Sequence, residues 1–128
     1  MTVYLDTSAA AKLLIDEPES EALVHHLDSL DPGEVLASSA LLETELRRVA
    51  VRQDLAQASV SDVLARVALV DPDRSLFHEA GVLPGATLRS LDALHLATAM
   101  RLGAAVVAYD IRLIESATAL GLDIVSPR

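Results

Sequence analysis

The sequence contains no cysteine, which excludes disulfide scaffolds, thiolate metal sites and cysteine nucleophiles together. It contains no asparagine, hence no N-glycosylation acceptor, and no tryptophan. Aromatic residues are 2% of the chain, so only Tyr4, Phe77 and Tyr109 could stack on nucleic-acid bases. Positive charge is also scarce, with 10 Lys and Arg against 19 Asp and Glu and a formal net charge of −9. The basic footprint that ordinarily marks a nucleic-acid binder is therefore missing, and an enzyme acting on nucleic acid would have to borrow positive charge from bound cations. No uncharged apolar run approaches the roughly 20 residues of a membrane span. The N-terminus, Met1 to Asp6, lacks the basic region and apolar stretch of a signal peptide. A cytoplasmic protein with no membrane partner is the simplest expectation.

What the sequence does have is apolar content, 52% of 128 residues, mostly Leu, Ala and Val. That length suits one domain over residues 1–128, able to bury roughly two-thirds of its unfolded surface without a structural metal. Val3-Tyr4-Leu5 reads as a short buried strand ending at Asp6, with Thr7 or Ser8 capping a helix through the Ala9–Ile15 run. Pro18 opens a helix from Glu19 to about Leu30, and Asp31-Pro32-Gly33 closes it. Glu34–Ser38 is a strand, and a long helix follows from about Ala40 to Arg52. Ser59–Val70 and Asp73–Ala80 read as helices, with a loop over Val82–Thr87. Ser90 caps a nearly all-apolar helix through Leu102, which Gly103 stops. Ala104–Tyr109 is a strand ending at Asp110, followed by a helix to Leu120 and a last strand, Asp123–Val125. Short apolar strands alternating with helices predict an α/β fold: a parallel sheet of about four or five strands covered on both faces. Ligands in such folds bind beyond the carboxyl ends of the strands, where the strand order reverses.

Four acids fall where chemistry is expected. Asp6 and Asp110 each follow a strand, although either could serve only as a turn or helix cap. Asp92 lies in the first turn of the apolar helix Leu91–Met100, where a carboxylate must be paired, hydrogen-bonded or metal-bound, or else complements the helix dipole. His95, one turn on, is placed to partner Asp92, but a lone histidine there reads more simply as a satisfied core residue and is left out of the site. In the Ala40–Arg52 helix, Leu41, Leu42, Leu46 and Val49 form the apolar stripe and Glu45 falls inside it; its structural alternative is an ion pair with Arg48. Glu43 lies off the stripe, four residues before Arg47, as an exposed pair would. Carboxylates held about 4 Å apart repel by about 4 kcal/mol per pair at an effective dielectric near 20. An oxygen-only cluster of that kind suits Mg²⁺, with Mn²⁺ as the alternative, and the chemistry such a metal supports is phosphodiester hydrolysis.

The segments Leu5-Asp6-Thr7-Ser8-Ala9, Ser39 to Leu46, Leu91-Asp92-Ala93-Leu94-His95-Leu96-Ala97 and Tyr109-Asp110-Ile111-Arg112-Leu113 resemble, in order and spacing, the four signature blocks of PIN-domain proteins. The resemblance spans essentially the whole chain and is nearest to VapC-type toxins of bacterial toxin–antitoxin pairs. It implies a three-layer PIN-like sandwich and a Mg²⁺- or Mn²⁺-dependent endoribonuclease held off by a VapB-type antitoxin. It also implies an RNA substrate and a homodimer. By position Asp6, Glu45, Asp92 and Asp110 become the catalytic quartet, with Asp6 and Asp92 the direct metal ligands, Glu45 and Asp110 further ligands directly or through water, and Ser8 supporting Asp6. Two positions depart from the pattern: Ala108 stands where many relatives carry Thr or Ser, and the next acid after Asp110 is Glu115. The number of metals stays open.

Two other acidic α/β families fit poorly. A receiver domain would need paired acids after the first strand and a late lysine, but the only lysine is Lys12. A haloacid-dehalogenase phosphatase would need an acid where Ser8 stands. The non-enzymatic alternative is a PIN-like module whose acids bind a basic partner. Arg89 and Arg112 are candidate phosphate contacts, with solvated or structural roles as the alternative.

Overall fold

Strand β1 (Thr2–Leu5) alternates its side chains across the sheet, sending Val3 and Leu5 to one hydrophobic cluster and Tyr4 to another. The computed structural model describes residues 1–128 and places β1 at the centre of a five-stranded parallel sheet. The other strands are β2 (Val35–Ser39), β3 (Ala68–Val70), β4 (Ala105–Val107) and β5 (Ile124–Val125), in the order β3-β2-β1-β4-β5. Val3 is in register with Leu36 of β2 and with Ala105 of β4, so β1 is paired on both edges.

Seven helices cover the two faces. Helices α1 (Thr7–Leu14), α2 (Ser20–Asp28), α3 (Leu41–Arg52) and α4 (Gln57–Leu64) bury Ala9, Leu23, Leu42, Leu46 and Val60 against the Val3 and Leu5 side. Helices α6 (Ser90–Leu102) and α7 (Ile111–Ala119) bury Leu96, Ala99, Leu113 and Ala117 against the Tyr4 side. Helix α5 (Arg74–Gly81) packs Leu76 and Ala80 on Ala93 and Ala97 of α6. The architecture is the three-layer α/β sandwich that the alternation of elements predicts. No helix is long and apolar enough to cross a membrane.

Three local expectations are corrected. Ser59–Val70 is not one helix: α4 ends at Leu64, Arg66 and Val67 close a turn onto Val63 and Leu64, and Ala68–Val70 becomes β3. A short apolar run at a helix end has no periodicity of its own, and here the open edge of β2 decides, with Ala37 to Ser39 pairing onto Ala68 to Val70. The cap of α1 is Asp6 rather than Thr7 or Ser8, because Asp6 keeps extended backbone and its carboxylate accepts from Ser8 N. Ser90 is the first residue of α6 rather than its cap; Arg89 occupies that position without a side-chain hydrogen bond. Gly103 does end α6, in the left-handed region at φ 62°, where a side chain would be strained.

The chain runs outward from β1 through β2 to β3, then crosses to β4 and β5 on the other side. The order therefore reverses between β1 and β4, and Asp6 and Asp110 follow those two strands.

Candidate active site

Asp6 continues β1 by donating its backbone N–H to Val107 O at 3.0 Å, and it is 5% exposed. Its Oδ2 accepts from Ser8 N at 3.1 Å and from Ser8 Oγ at 2.6 Å. Ser8 Oγ in turn accepts from Tyr109 N at 3.0 Å and Asp110 N at 3.3 Å. One hydroxyl thus ties the Asp6 carboxylate to the loop that carries Asp110. Asp110 is exposed, and its Oδ1 caps α7 through Arg112 N at 2.9 Å.

Glu45 and Asp92 approach from opposite layers. Glu45, on α3, is half-buried; its Oε1 accepts from Thr7 Oγ1 at 3.2 Å and lies 2.5 Å from His95 Nε2. Arg48 forms no ion pair with it. Glu43 is exposed and pairs with Arg47 at 2.9 Å, as its place off the apolar stripe predicts. Asp92 is half-buried in the first turn of α6, and its carboxylate takes part in no hydrogen bond within the protein. Helix α6 is less enclosed than its sequence suggests: Leu91 is 50% and Met100 40% exposed, flanking a buried stretch from His95 to Ala99.

The electrostatics join these groups. The Asp92 carboxyl is held above the ordinary carboxylate range, first by burial and then by the negative charges of Asp6, Asp110 and Glu45, with His95 opposing. Burial alone would lower the His95 pKa, but the hydrogen bond to Glu45 and the charges of Glu45, Asp6 and Asp92 raise it on balance. An acid whose pKa rises on folding keeps its proton in the native state where the unfolded chain has already released it. Stability therefore falls as pH rises from about 3.8, the ordinary aspartate value, through the raised one. Asp92→Asn is accordingly expected to raise Tm at pH 7, and the gain should vanish at pH values well below 3.8. Thermal melts across pH check this; an unchanged or lower Tm at pH 7 would contradict the repulsion.

The donor set is all oxygen and anionic, which is the chemistry of a hard divalent cation. Asp6 Oδ1, Glu45 Oε2, Asp110 Oδ2 and both oxygens of Asp92 take part in no protein hydrogen bond, whereas the other oxygens are turned to Ser8, His95, Thr7 and the α7 N-terminus. As the side chains stand, no three of them close around one point. The residues thus fit a metal by charge and donor type, with a free oxygen on each carboxylate.

Three participants were not evident from sequence. His95 is buried and satisfied, as a core histidine would be, but its partners are Glu45 and Tyr4 rather than Asp92. Thr7 holds Glu45. Tyr4 carried the one usable signal, since a tyrosine in a buried strand needs a partner for its hydroxyl. Arg89 and Arg112 line the same small cleft as Asp92, together with Glu115, and neither forms an ion pair.

Residues 3–118 match the PIN domain family. The chain is 44% identical over 133 residues to Ribonuclease VapC35 of Mycobacterium tuberculosis (strain CDC 1551 / Oshkosh), covering 98% of this chain and 96% of that protein. Its fold superposes on the crystal structure of Mycobacterium tuberculosis VapC20, described as a Sarcin-Ricin loop cleaving toxin, with a TM-score of 0.76 at 19% identity over 98% of this chain and 99% of the other. It also superposes on a chain of VapBC2 from Rickettsia felis bound to a DNA fragment from their promoter, with a TM-score of 0.75 at 17% identity over 100% of both chains. At those identities the two structures speak to the fold alone.

Proposed function

Since the chain belongs to the PIN domain family, we propose that it is a divalent-metal-dependent endoribonuclease, the toxin of a toxin–antitoxin pair, acting through Asp6, Glu45, Asp92 and Asp110. The observation that carries this reading is the placement of four carboxylates around the end of the sheet where strand order reverses, with Asp92 pushed up by burial and by the charges of the other three. Carboxylates so coupled either take up protons or are relieved by a bound cation, and the second supports a metal here.

Asp6 and Asp92 would hold the Mg²⁺ or Mn²⁺, with the free oxygens of Asp110 and Glu45 completing the set directly or through water. When bound, the metal supplies charge stabilisation at the scissile phosphate and activation of water. Ser8 keeps Asp6 and the Asp110 loop in one geometry. Arg89 and Arg112 offer unpaired guanidinium groups beside Asp92, where a phosphate flanking the scissile bond would lie. Positive charge so limited and so local accounts for how a chain of net charge −9 handles RNA.

The antitoxin is expected to lay an apolar helix on the early helices, as a VapB-type partner would. A concavity of about 590 Å³ between α1 and α2 offers Leu13, Leu14, Ile15 and Val24 among polar and charged neighbours that include Asp16, Glu21 and Asp28, a lining suited to a helix that is apolar on one side and basic at its margin. A basic side chain from its tail would stand among the four carboxylates in place of the metal. The exposed apolar side chains Phe77, Val82 and Met100 on and beside α5 and α6 support a homodimer through that face.

The test is RNA cleavage by purified protein. Cleavage is expected with Mg²⁺ or Mn²⁺, none with a chelator, and recovery when Mn²⁺ is restored. RNA left intact under every condition would favour the non-catalytic module that binds a basic partner; chelator-resistant cleavage would remove the metal from the mechanism.

A further inference from the structure

His95 is 1% exposed and bonded at both ring nitrogens, and no step assigned above uses it. Its Nδ1 lies 2.5 Å from Tyr4 Oη, and that hydroxyl accepts the Ser39 backbone N–H at 3.1 Å. The neutral ring leaves Nδ1 bare to accept the Tyr4 hydroxyl hydrogen, because the Glu45 carboxylate can only accept and so requires the ring hydrogen on Nε2. A cationic ring carries one there as well. In both states Nε2–H donates to Glu45 Oε1, so the contact does not depend on the charge of the ring. The two rings meet edge to face, with centroids 5.9 Å apart and planes at 77°, which leaves the imidazole little freedom to turn.

The contact joins the layers of the sandwich. Glu45 stands on α3 above one face of the sheet, while His95 stands on α6 above the other, one turn after Asp92. A glutamate has three side-chain torsions, and without this bond only Thr7 would restrain it. Held by Oε1, it keeps Oε2 for the acidic cluster and a fixed offset from Asp92.

We propose that His95 is a positioning residue for the reaction: oriented by Tyr4, it fixes Glu45 across the carboxyl edge of the sheet so that its free oxygen faces the metal site. This rests on the ribonuclease reading above. A packing role alone would be met by an apolar ring of similar size, and that difference makes the idea testable.

The experiment compares wild type with His95→Phe, His95→Gln and Tyr4→Phe, measuring kcat and KM on an RNA oligonucleotide, Mn²⁺ affinity of the free protein by EPR, and Tm. His95→Phe should lower kcat by about 10- to 100-fold and weaken Mn²⁺ binding, with KM for RNA little changed. His95→Gln, which restores an N–H donor toward Glu45, should recover most of both, and Tyr4→Phe should fall between. A folded His95→Phe variant with wild-type kcat and Mn²⁺ affinity overturns the proposal, as does a loss that follows Tm and is not relieved by Gln. If His95→Phe does not fold, Tyr4→Phe decides: wild-type kcat there is contrary. A wild-type enzyme indifferent to Mn²⁺ and chelator would defeat the metal reading instead, leaving His95 to be judged on kcat and its rescue.

Discussion

Asp6→Asn and Asp92→Asn are each expected to abolish RNA cleavage while leaving the protein folded. Losing a metal ligand removes several kcal/mol of transition-state stabilisation, which corresponds to a fall in rate of about 10³-fold or more. The fold survives for a different reason at each site. Asparagine caps a helix about as well as aspartate, so its amide oxygen can still accept from Ser8 N and Ser8 Oγ at the start of α1. Asp92 has no hydrogen bond to lose and suffers repulsion from three neighbours, so its neutral isostere relieves strain. Initial rates on labelled RNA, taken with thermal melts of the same preparations, check the prediction. A folded variant of either residue that cleaves at the wild-type rate would remove that residue from the site.

The two glutamates of α3 give the second large effect. Glu45→Gln should lose activity by about 10²-fold, because it removes a negative charge from the acidic cluster and leaves only a neutral amide oxygen for His95 to hold. Glu43→Gln should keep wild-type activity. It breaks only the exposed i,i+4 pair with Arg47, worth about 0.3–0.5 kcal/mol of stability. Cleavage assays on the two variants side by side decide the matter. Equal loss in both, or loss only in Glu43→Gln, would mean that the wrong face of α3 has been assigned to the site.

What the sequence made legible follows from the range of the interactions involved. Strands β1, β2, β4 and β5 are apolar runs bounded by turns or helix ends, and such local signals survive folding. β3 escaped because Val67 to Val70 continues the composition of the preceding helix; only the unpaired edge of β2, distant in sequence, makes it a strand. Glu45 was legible because its place on the apolar stripe is a property of one helix. The partner of Glu45 was not, since His95 lies 50 residues away on a helix of the opposite layer. Position relative to Asp92 suggested a pair within α6, yet the ring turns toward Tyr4 and Glu45 instead. Asp6 shows that the bland and the chemical readings need not compete. It caps α1 with Oδ2 and leaves Oδ1 free.

The proposed reaction directs water, rather than the RNA's own 2′-hydroxyl, at the phosphodiester bond, and the fate of solvent oxygen distinguishes the two. A defined RNA is cleaved by the purified protein in ¹⁸O-labelled water with Mn²⁺, and the new ends are weighed by mass spectrometry. Attack by water forms one P–O bond from solvent and breaks one to the leaving ribose oxygen, giving a linear phosphate end that carries a single ¹⁸O. That product is expected with Mn²⁺, and none in chelator. A 2′,3′-cyclic phosphate without label, formed equally well in chelator, would contradict it.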